Sequence, residues 1–359
     1  MRELDPAALG ETEEQAQLRA VVRDFFAKRG DDEALWSRMA GEIGVQGLAI
    51  PEEYGGSGFS FAELAVALGE AGRALACAPL LSTTVLAAYT LLLGDDEEAC
   101  RRYLPAVAAG AGTMTVAGFD GAGELTATLS PDGWVGDGHA DFVLDGAGAD
   151  VLLVAARTRA GTGLFACEAG APGLTREDRP VLDDTRPQAL VTLRRTPLTP
   201  IEASDPAAVV ARVLDIGRAA LAAEQVGGSA HALDATVAYV AQRHQFGRPI
   251  GSFQAVKHRL ADLLVEVEAA RSAAAYAAAC VGSPEELAVA AAAAQVVCSE
   301  TYRRAAEEYV QLHGGIGFTW EHPAHRYLRR ARSAEVLFGT ADDHRERLSG
   351  LLGLTFRSL

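Results

Sequence analysis

A chain of 359 residues allows two or three domains around a sizeable core. Hydrophobic residues make up 49% and aromatics only 6%, with alanine carrying much of the apolar content, which suits closely packed helices. A formal net charge of −16 offers phosphates no broad basic face and argues against a nucleic-acid partner.

The N-terminus opens on charged residues with no apolar leader, so no signal peptide is expected. Residues 1–112 read as an N-terminal helical domain. Thr12 is placed to cap a helix running through Lys28, and Ser60-Phe61-Ala62-Glu63 is a capping-box pattern opening a helix through about Leu75. Between them lies the Gly-rich turn from Ile50 to Gly58. Residues 113–202 change character. Short runs such as Thr113-Met114-Thr115-Val116 and Val151-Leu152-Leu153-Val154 alternate with Gly, Asp and Pro turns, which predicts a middle antiparallel β-domain.

From 203 to 359 long helical patterns return, over 206–242, 254–280, 284–312 and 341–351, with Pro206 and Pro284 where a first turn tolerates proline. These helices are long enough for a C-terminal four-helix bundle, and the whole is an α+β arrangement. The apolar run 269–279 is too short for a membrane span and contains Arg271 and Tyr276. Five cysteines, at 77, 100, 167, 280 and 298, lack C-x-x-C spacing, so reduced thiols in a soluble cytoplasmic protein are expected and neither a disulfide framework nor a zinc site.

Two C-terminal stretches stand out: Gln242-Arg243-His244-Gln245-Phe246-Gly247-Arg248-Pro249-Ile250-Gly251-Ser252-Phe253-Gln254, and Gln311-Leu312-His313-Gly314-Gly315-Ile316-Gly317-Phe318 followed by Glu321, Pro323 and Arg326. With Pro51-Glu52-Glu53-Tyr54-Gly55-Gly56 they resemble, in order and separation, the signatures of the acyl-CoA dehydrogenase family, over essentially the whole chain. The resemblance implies a flavin-linked oxidoreductase of lipid metabolism that dehydrogenates an acyl-CoA thioester between Cα and Cβ. It implies FAD as cofactor and an oligomer in which these stretches reach the ADP half of a flavin held mainly by the neighbouring subunit.

On that resemblance Arg243 meets the pyrophosphate, a task suited to a guanidinium fork. Phe246 and Phe253 pack near the cofactor, and Gln245, Gln254 and Gln311 hydrogen-bond to it. Gly314 and Gly315 admit backbone without a Cβ, Thr340 joins the cofactor contacts, and Arg218 lies at the substrate. Singly, an Arg243 that caps a helix and glycines that turn the chain are simpler readings; the ordered set favours cofactor contact. The Gly-Gly-x-Gly follows a helix, not a strand, which rejects a nicotinamide fingerprint.

The chain departs from the family where the chemistry is done. Most members place the α-proton base, a Glu, directly before a Gly-Thr pair; here Phe338 precedes Gly339-Thr340. A minority place it before an Arg on the preceding long helix; here that residue is Gly217, before Arg218. A missing general base costs ~10² to 10⁴ in rate. Glu224 and Glu335 are the nearest substitutes, and both read as solvated or paired surface acids. The β-domain loop that should face the isoalloxazine reads Thr115 to Gly123, and the aromatic strand reads Phe142-Val143-Leu144, so the chain's own flavin contacts are degraded.

The expectation is therefore a subunit of a heteromeric acyl-CoA dehydrogenase that lacks the base and contributes FAD contacts. The rivals are a self-sufficient homo-oligomer with other flavin chemistry, such as oxygen activation, and a non-catalytic acyl-CoA-binding scaffold. His322 and His325 have helical metal-ligand spacing but no third ligand, so a surface or capping role and no metal are expected. Arg326, Arg329, Arg330 and Arg332 read as a solvated stripe paired with local acids.

Overall fold

The structure, a computed structural model, describes residues 10–29, 34–119, 121 and 123–354. Helices α1 (Glu13–Arg29), α2 (Leu35–Ile43), α3 (Phe61–Arg73), α4 (Ala88–Leu92) and α5 (Glu97–Ala108) come first. Strands β1 (Met114–Ala117), β2 (Gly123–Ser130), β3 (Gly133–Leu144), β4 (Val151–Thr158), β5 (Gly161–Glu168), β6 (Leu174–Asp178) and β7 (Gln188–Ile201) follow. Then come α6 (Pro206–Gln242), a small hairpin β8 (His244–Gln245) and β9 (Arg248–Pro249), α7 (Gln254–Ala279), α8 (Pro284–His313), α9 (Ala324–Ala334) and α10 (Ala341–Leu351).

Local chemistry starts several of these helices where the sequence places them. Thr12 and Gln15 bond reciprocally at 3.2 Å at the start of α1; at the start of α3 the Glu63 carboxylate accepts the Ser60 N–H at 3.0 Å while Ser60 Oγ accepts the Ala62 N–H at 3.1 Å. Pro206 and Pro284 are the first residues of α6 and α8.

The chain divides into two compact units. One takes in α1, residues 65–76 and the chain from Arg218 onward; the other takes in α2 to Leu64 and Cys77–Gly217. In the first, α6, α7, α8 and α9 share a core that includes Val240, Leu263, Val267, Tyr302, Tyr309 and Tyr327, and α10 packs on α8. Small residues let α3 and α6 touch at the backbone. A Cβ on Gly227 would overlap the Gly69 carbonyl, and one on Gly72 the Glu224 carbonyl. Glu70, 3% exposed, ties α1 to α3 by accepting from Arg23 at 2.8 Å and Arg19 at 3.0 Å. Burial raises its pKa, but the two guanidiniums outweigh burial and hold it below the usual carboxylate range.

In the second unit β4, β5, β7, β3 and β2 pair in sequence, and β2 returns to β4 at Thr126↔Arg157. Alternating residues such as Leu152, Val154, Phe165, Val191 and Leu193 fill the core. The expected antiparallel pairing holds for most of the sheet but not for β1, which runs parallel to β4, nor for the β2–β4 contact. The reason is topological: the β2–β3 hairpin is inserted between β1 and β4, so the chain returns to β1's side in the same direction. Residues Leu80–Ala87 form a fully buried π-helix rather than an α-helix. Its hydroxyls face the sheet: Thr83 donates to the Met114 carbonyl at 2.7 Å and accepts its N–H at 3.0 Å, and Ser82 donates to Asp145 at 2.5 Å.

Candidate functional site

Two of the signature stretches meet at one end of the bundle. Tyr239, near the end of α6, stacks on His313, the last residue of α8, at 4.1 Å between ring centroids. The Arg243 N–H donates to the Tyr239 carbonyl at 2.8 Å, and the Ile250 N–H closes the hairpin onto the Arg243 carbonyl at 2.8 Å. The Arg243 backbone is thus tied to Tyr239, whose ring packs on the helix end that precedes Gly314.

Among the described residues no hydrogen bond or ion pair engages the Arg243 guanidinium or the amides of Gln254 and Gln311, all exposed. Gln245 donates only to the carbonyl of His244, at 2.9 Å. Phe246 is 91% exposed and meets Phe253 edge-on at 6.1 Å, while Arg248 lies over the Phe253 ring at 4.0 Å. Around the turn Phe318 and Trp320 are also largely exposed. A Cβ on Gly314 or Gly315 would meet only open space, and Gly314 has φ +62°. Donors without a protein partner, the exposed Phe246 ring and an open glycine turn are the chemistry that a planar, polyanionic ligand requires.

Neither Gly217 nor Phe338, the two residues expected at base positions, is a carboxylate. Gly217 is buried within α6. Phe338 lies between α9 and α10 with φ +62°, followed by Gly339 at +107°. The next residue along α6 reaches that segment: Arg218 Nε donates to the Phe338 carbonyl at 3.2 Å. Thr340 is committed to a capping box with Asp343, its hydroxyl 2.6 Å from the carboxylate. Of the two substitute acids, Glu335 is a partly exposed, paired acid as expected, and only Glu224 departs from the expectation by being buried. Glu224 is buried and paired with Arg330 at 2.6 Å, and Glu335 pairs with Arg332 at 3.1 Å and Arg303 at 3.4 Å. Arg330 is accordingly a buried partner and not part of a solvated stripe, because α9 turns it inward against α6.

In the β-domain the polar groups of the matching loop are spent on the fold. Thr115 is fully buried and its hydroxyl donates to the Leu144 carbonyl at 2.6 Å. Phe119 is buried too; Asp120 and Ala122 of this loop lie outside the described residues. Phe142 sits at an irregularity between Ala140 and Val143, with φ +54° and 54% exposure. Its neighbour Asp141 holds Arg179 through two bonds of 2.7 Å, which keep the carboxyl below its usual range. That pair, with His139 and Arg194, lines a shallow groove of about 540 Å³.

Comparison with known proteins gives this geometry its context. The family model described as "Acyl-CoA dehydrogenase, N-terminal domain" matches residues 12–111, and "Acyl-CoA dehydrogenase, C-terminal domain" matches 207–350. The chain belongs to the acyl-CoA dehydrogenase family. It is 37% identical to the Mycobacterium tuberculosis protein named acyl-CoA dehydrogenase IpdE2, over 90% of this chain and 93% of that one. Among solved structures it resembles the Tcur3481-Tcur3483 steroid ACAD (TM-score 0.85, 34% identity, 95% of this chain and 98% of that chain). It also resembles the ChsE4-ChsE5 complex from M. tuberculosis (TM-score 0.89, 28% identity, 98% and 100%). No helix among the described residues is long and apolar enough to cross a membrane.

An acyl-CoA dehydrogenase needs flavin contacts from bundle and β-domain alike, and the two regions differ here in what they can offer. The bundle end fits the ADP half of FAD, since its guanidinium, amides and glycine turn have no competing protein partner. The β-domain fits the isoalloxazine less well, because the Thr115 hydroxyl is already bonded. Sequence reasoning missed the π-helix and an aromatic stack of His231, Tyr309, His313, His322 and Tyr327 under the glycine turn. The only advance signal was an excess of hydroxyls within an apolar run for the first, and His and Tyr at helical spacing for the second.

Proposed function

We propose that this chain is the base-lacking subunit of a heteromeric acyl-CoA dehydrogenase. A partner subunit supplies the carboxylate and the main flavin pocket, and this chain supplies contacts to the ADP half of FAD. The observation that carries the reading is the contrast between the free Arg243, Gln254 and Gln311 side chains and the base position, where Phe338 stands with its carbonyl bonded by Arg218. The two solved relatives named as paired proteins support assembly with a second, related chain. The name of one makes a steroid-derived acyl thioester the first substrate to test. The partner and substrate are met in the cytoplasm.

When bound, FAD supplies the hydride acceptor for α,β-dehydrogenation. This chain's own work is to bind and orient. Arg243 would hold the pyrophosphate with its positive fork; Gln245, Gln254 and Gln311 would hydrogen-bond to the cofactor; Phe246 and Phe253 would pack near it; and Gly314 and Gly315 would admit backbone without a Cβ. With no carboxylate at residue 338 or 217, this chain takes no α-proton, and Arg218 maintains the turn that replaces the base. The test is anaerobic mixing with acyl-CoA thioesters, steroid-derived ones included, while flavin absorbance is followed. Bleaching is expected only with a carboxylate-bearing partner present; rapid bleaching by this chain alone refutes the reading.

A further inference from the structure

Beneath the Gly314–Phe318 turn, the histidine–tyrosine stack has no part in the function described so far. His313 ends α8, buried, with Nδ1 2.8 Å from the Tyr309 carbonyl; that nitrogen must carry the proton and donate. His322, in the loop before α9, does the reverse. Its Nδ1 accepts the Ala324 N–H at 3.2 Å, so that nitrogen is bare and the proton sits on Nε2. The two rings stand 4.5 Å apart at 39°, and Tyr309 meets their faces edge-on at 4.8 and 5.5 Å. The glycine turn and Trp320 are strung between these two histidines, one closing α8 and the other holding the start of α9.

We propose that His322 is an acid-released latch on this turn. A proton gained at Nδ1 abolishes the acceptor for the Ala324 N–H, places a cation against the His313 ring, and frees the segment bearing Gly314 and Gly315. His313 lacks this property, because protonation at its Nε2 leaves the Nδ1 bond to Tyr309 in place. The consequence for cofactor retention rests on the reading of Gly314 and Gly315 as cofactor contacts; the latch itself does not.

The titratable groups facing His322 are Tyr309 and His313 from α8 and His231 from α6, with Tyr327 of α9 stacked flat on His231 at 4.4 Å. None of them is an anion at neutral pH: burial pushes Tyr309 up to about 12 and raises Tyr327 as well. The charges beyond them, Arg73 and Asp234, bond each other at 2.8 Å. Burial lowers the pKa of His322 and of His313, and takes His231 down to about 4. The sign follows from the neutral folded rings. The latch is intact above the ordinary histidine value of about 6.5 and is lost as pH falls from there through the lowered folded-state values.

The test is amide hydrogen exchange of the whole chain at about pH 7.5 and about pH 5, corrected for intrinsic rates, on wild type, His322→Asn and His322→Phe. Asn presents Oδ1 where His presents Nδ1 and cannot take up a proton. In wild type the segment from Gly314 to Ala324 is expected to lose roughly tenfold protection at the lower pH. His322→Asn is expected to keep its protection at both pH values, and His322→Phe to lack it at both. Equal acid responses in wild type and His322→Asn overturn the proposal, and that pair decides even if His322→Phe fails to fold. FAD retention by the assembly with a carboxylate-bearing partner, measured at the same two pH values, reads the consequence: an acid-released latch with equal retention at both removes the cofactor reading of the turn and leaves the latch standing.

Discussion

The end of the helical bundle and the face of the β-domain carry the same kinds of side chain in opposite states. At the bundle end, Arg243, Gln254 and Gln311 are exposed and have no protein partner among the described residues, and Phe246 stands almost wholly in solvent. In the β-domain, the Thr115 hydroxyl and the Asp141 carboxylate are bonded within the domain, to the Leu144 carbonyl and to Arg179. Exposed polar groups exchange bonds to water for bonds to a ligand, whereas internally bonded ones must first break a bond within the protein. On the function proposed above, the difference separates a surface kept for another molecule from one kept for the fold.

The sharpest way to break this contrast is to restore the base. Phe338→Glu is expected to leave acyl-CoA-driven flavin reduction by this chain within a few-fold of background, although a positioned base is worth ~10² to 10⁴. Recovery in that range, followed by stopped-flow absorbance, would show the β-domain face to be competent after all. Glu224→Gln comes next. It removes the buried carboxylate that Arg330 is bonded to at 2.6 Å, so a loss of about 3–5 kcal/mol in denaturant unfolding is expected. Unchanged stability together with lost activity would instead make Glu224 a base.

How far these contrasts were legible in the sequence depends on how local their causes are. Helix starts at Thr12, Ser60, Pro206 and Pro284 are set by residues within one turn, and the structure places them as the sequence does. The glycine turn and the Arg243 stretch were legible as ordered motifs. The burial of Glu224 and Arg330 as a pair was not, because the two residues join α6 to α9 across 106 positions of the chain. The π-helix at Leu80–Ala87 and the parallel β1–β4 pairing arise from tertiary partners such as Thr83 with Met114, which no periodicity encodes.

Two smaller effects sharpen the comparison from either side. Arg243→Ala should weaken FAD binding to the assembled protein by roughly 1.5 to 3 kcal/mol, measured by titration of the apo-assembly, with circular dichroism unchanged. An unaltered dissociation constant would reduce Arg243 to a helix-end residue. Thr115→Val should do the converse: about 0.5 to 1.5 kcal/mol less stability in a thermal or urea melt, and no change in flavin affinity. A loss of affinity there would mean that the hydroxyl serves flavin as well as the fold.

The most direct measurement is flavin content per chain, from absorbance against protein concentration, for this chain purified alone and with a carboxylate-bearing partner. Substoichiometric, weakly held FAD alone, rising to a firmly retained flavin in the paired assembly, is the expected result. One tightly bound FAD per chain in a homo-oligomer of this chain alone would contradict it.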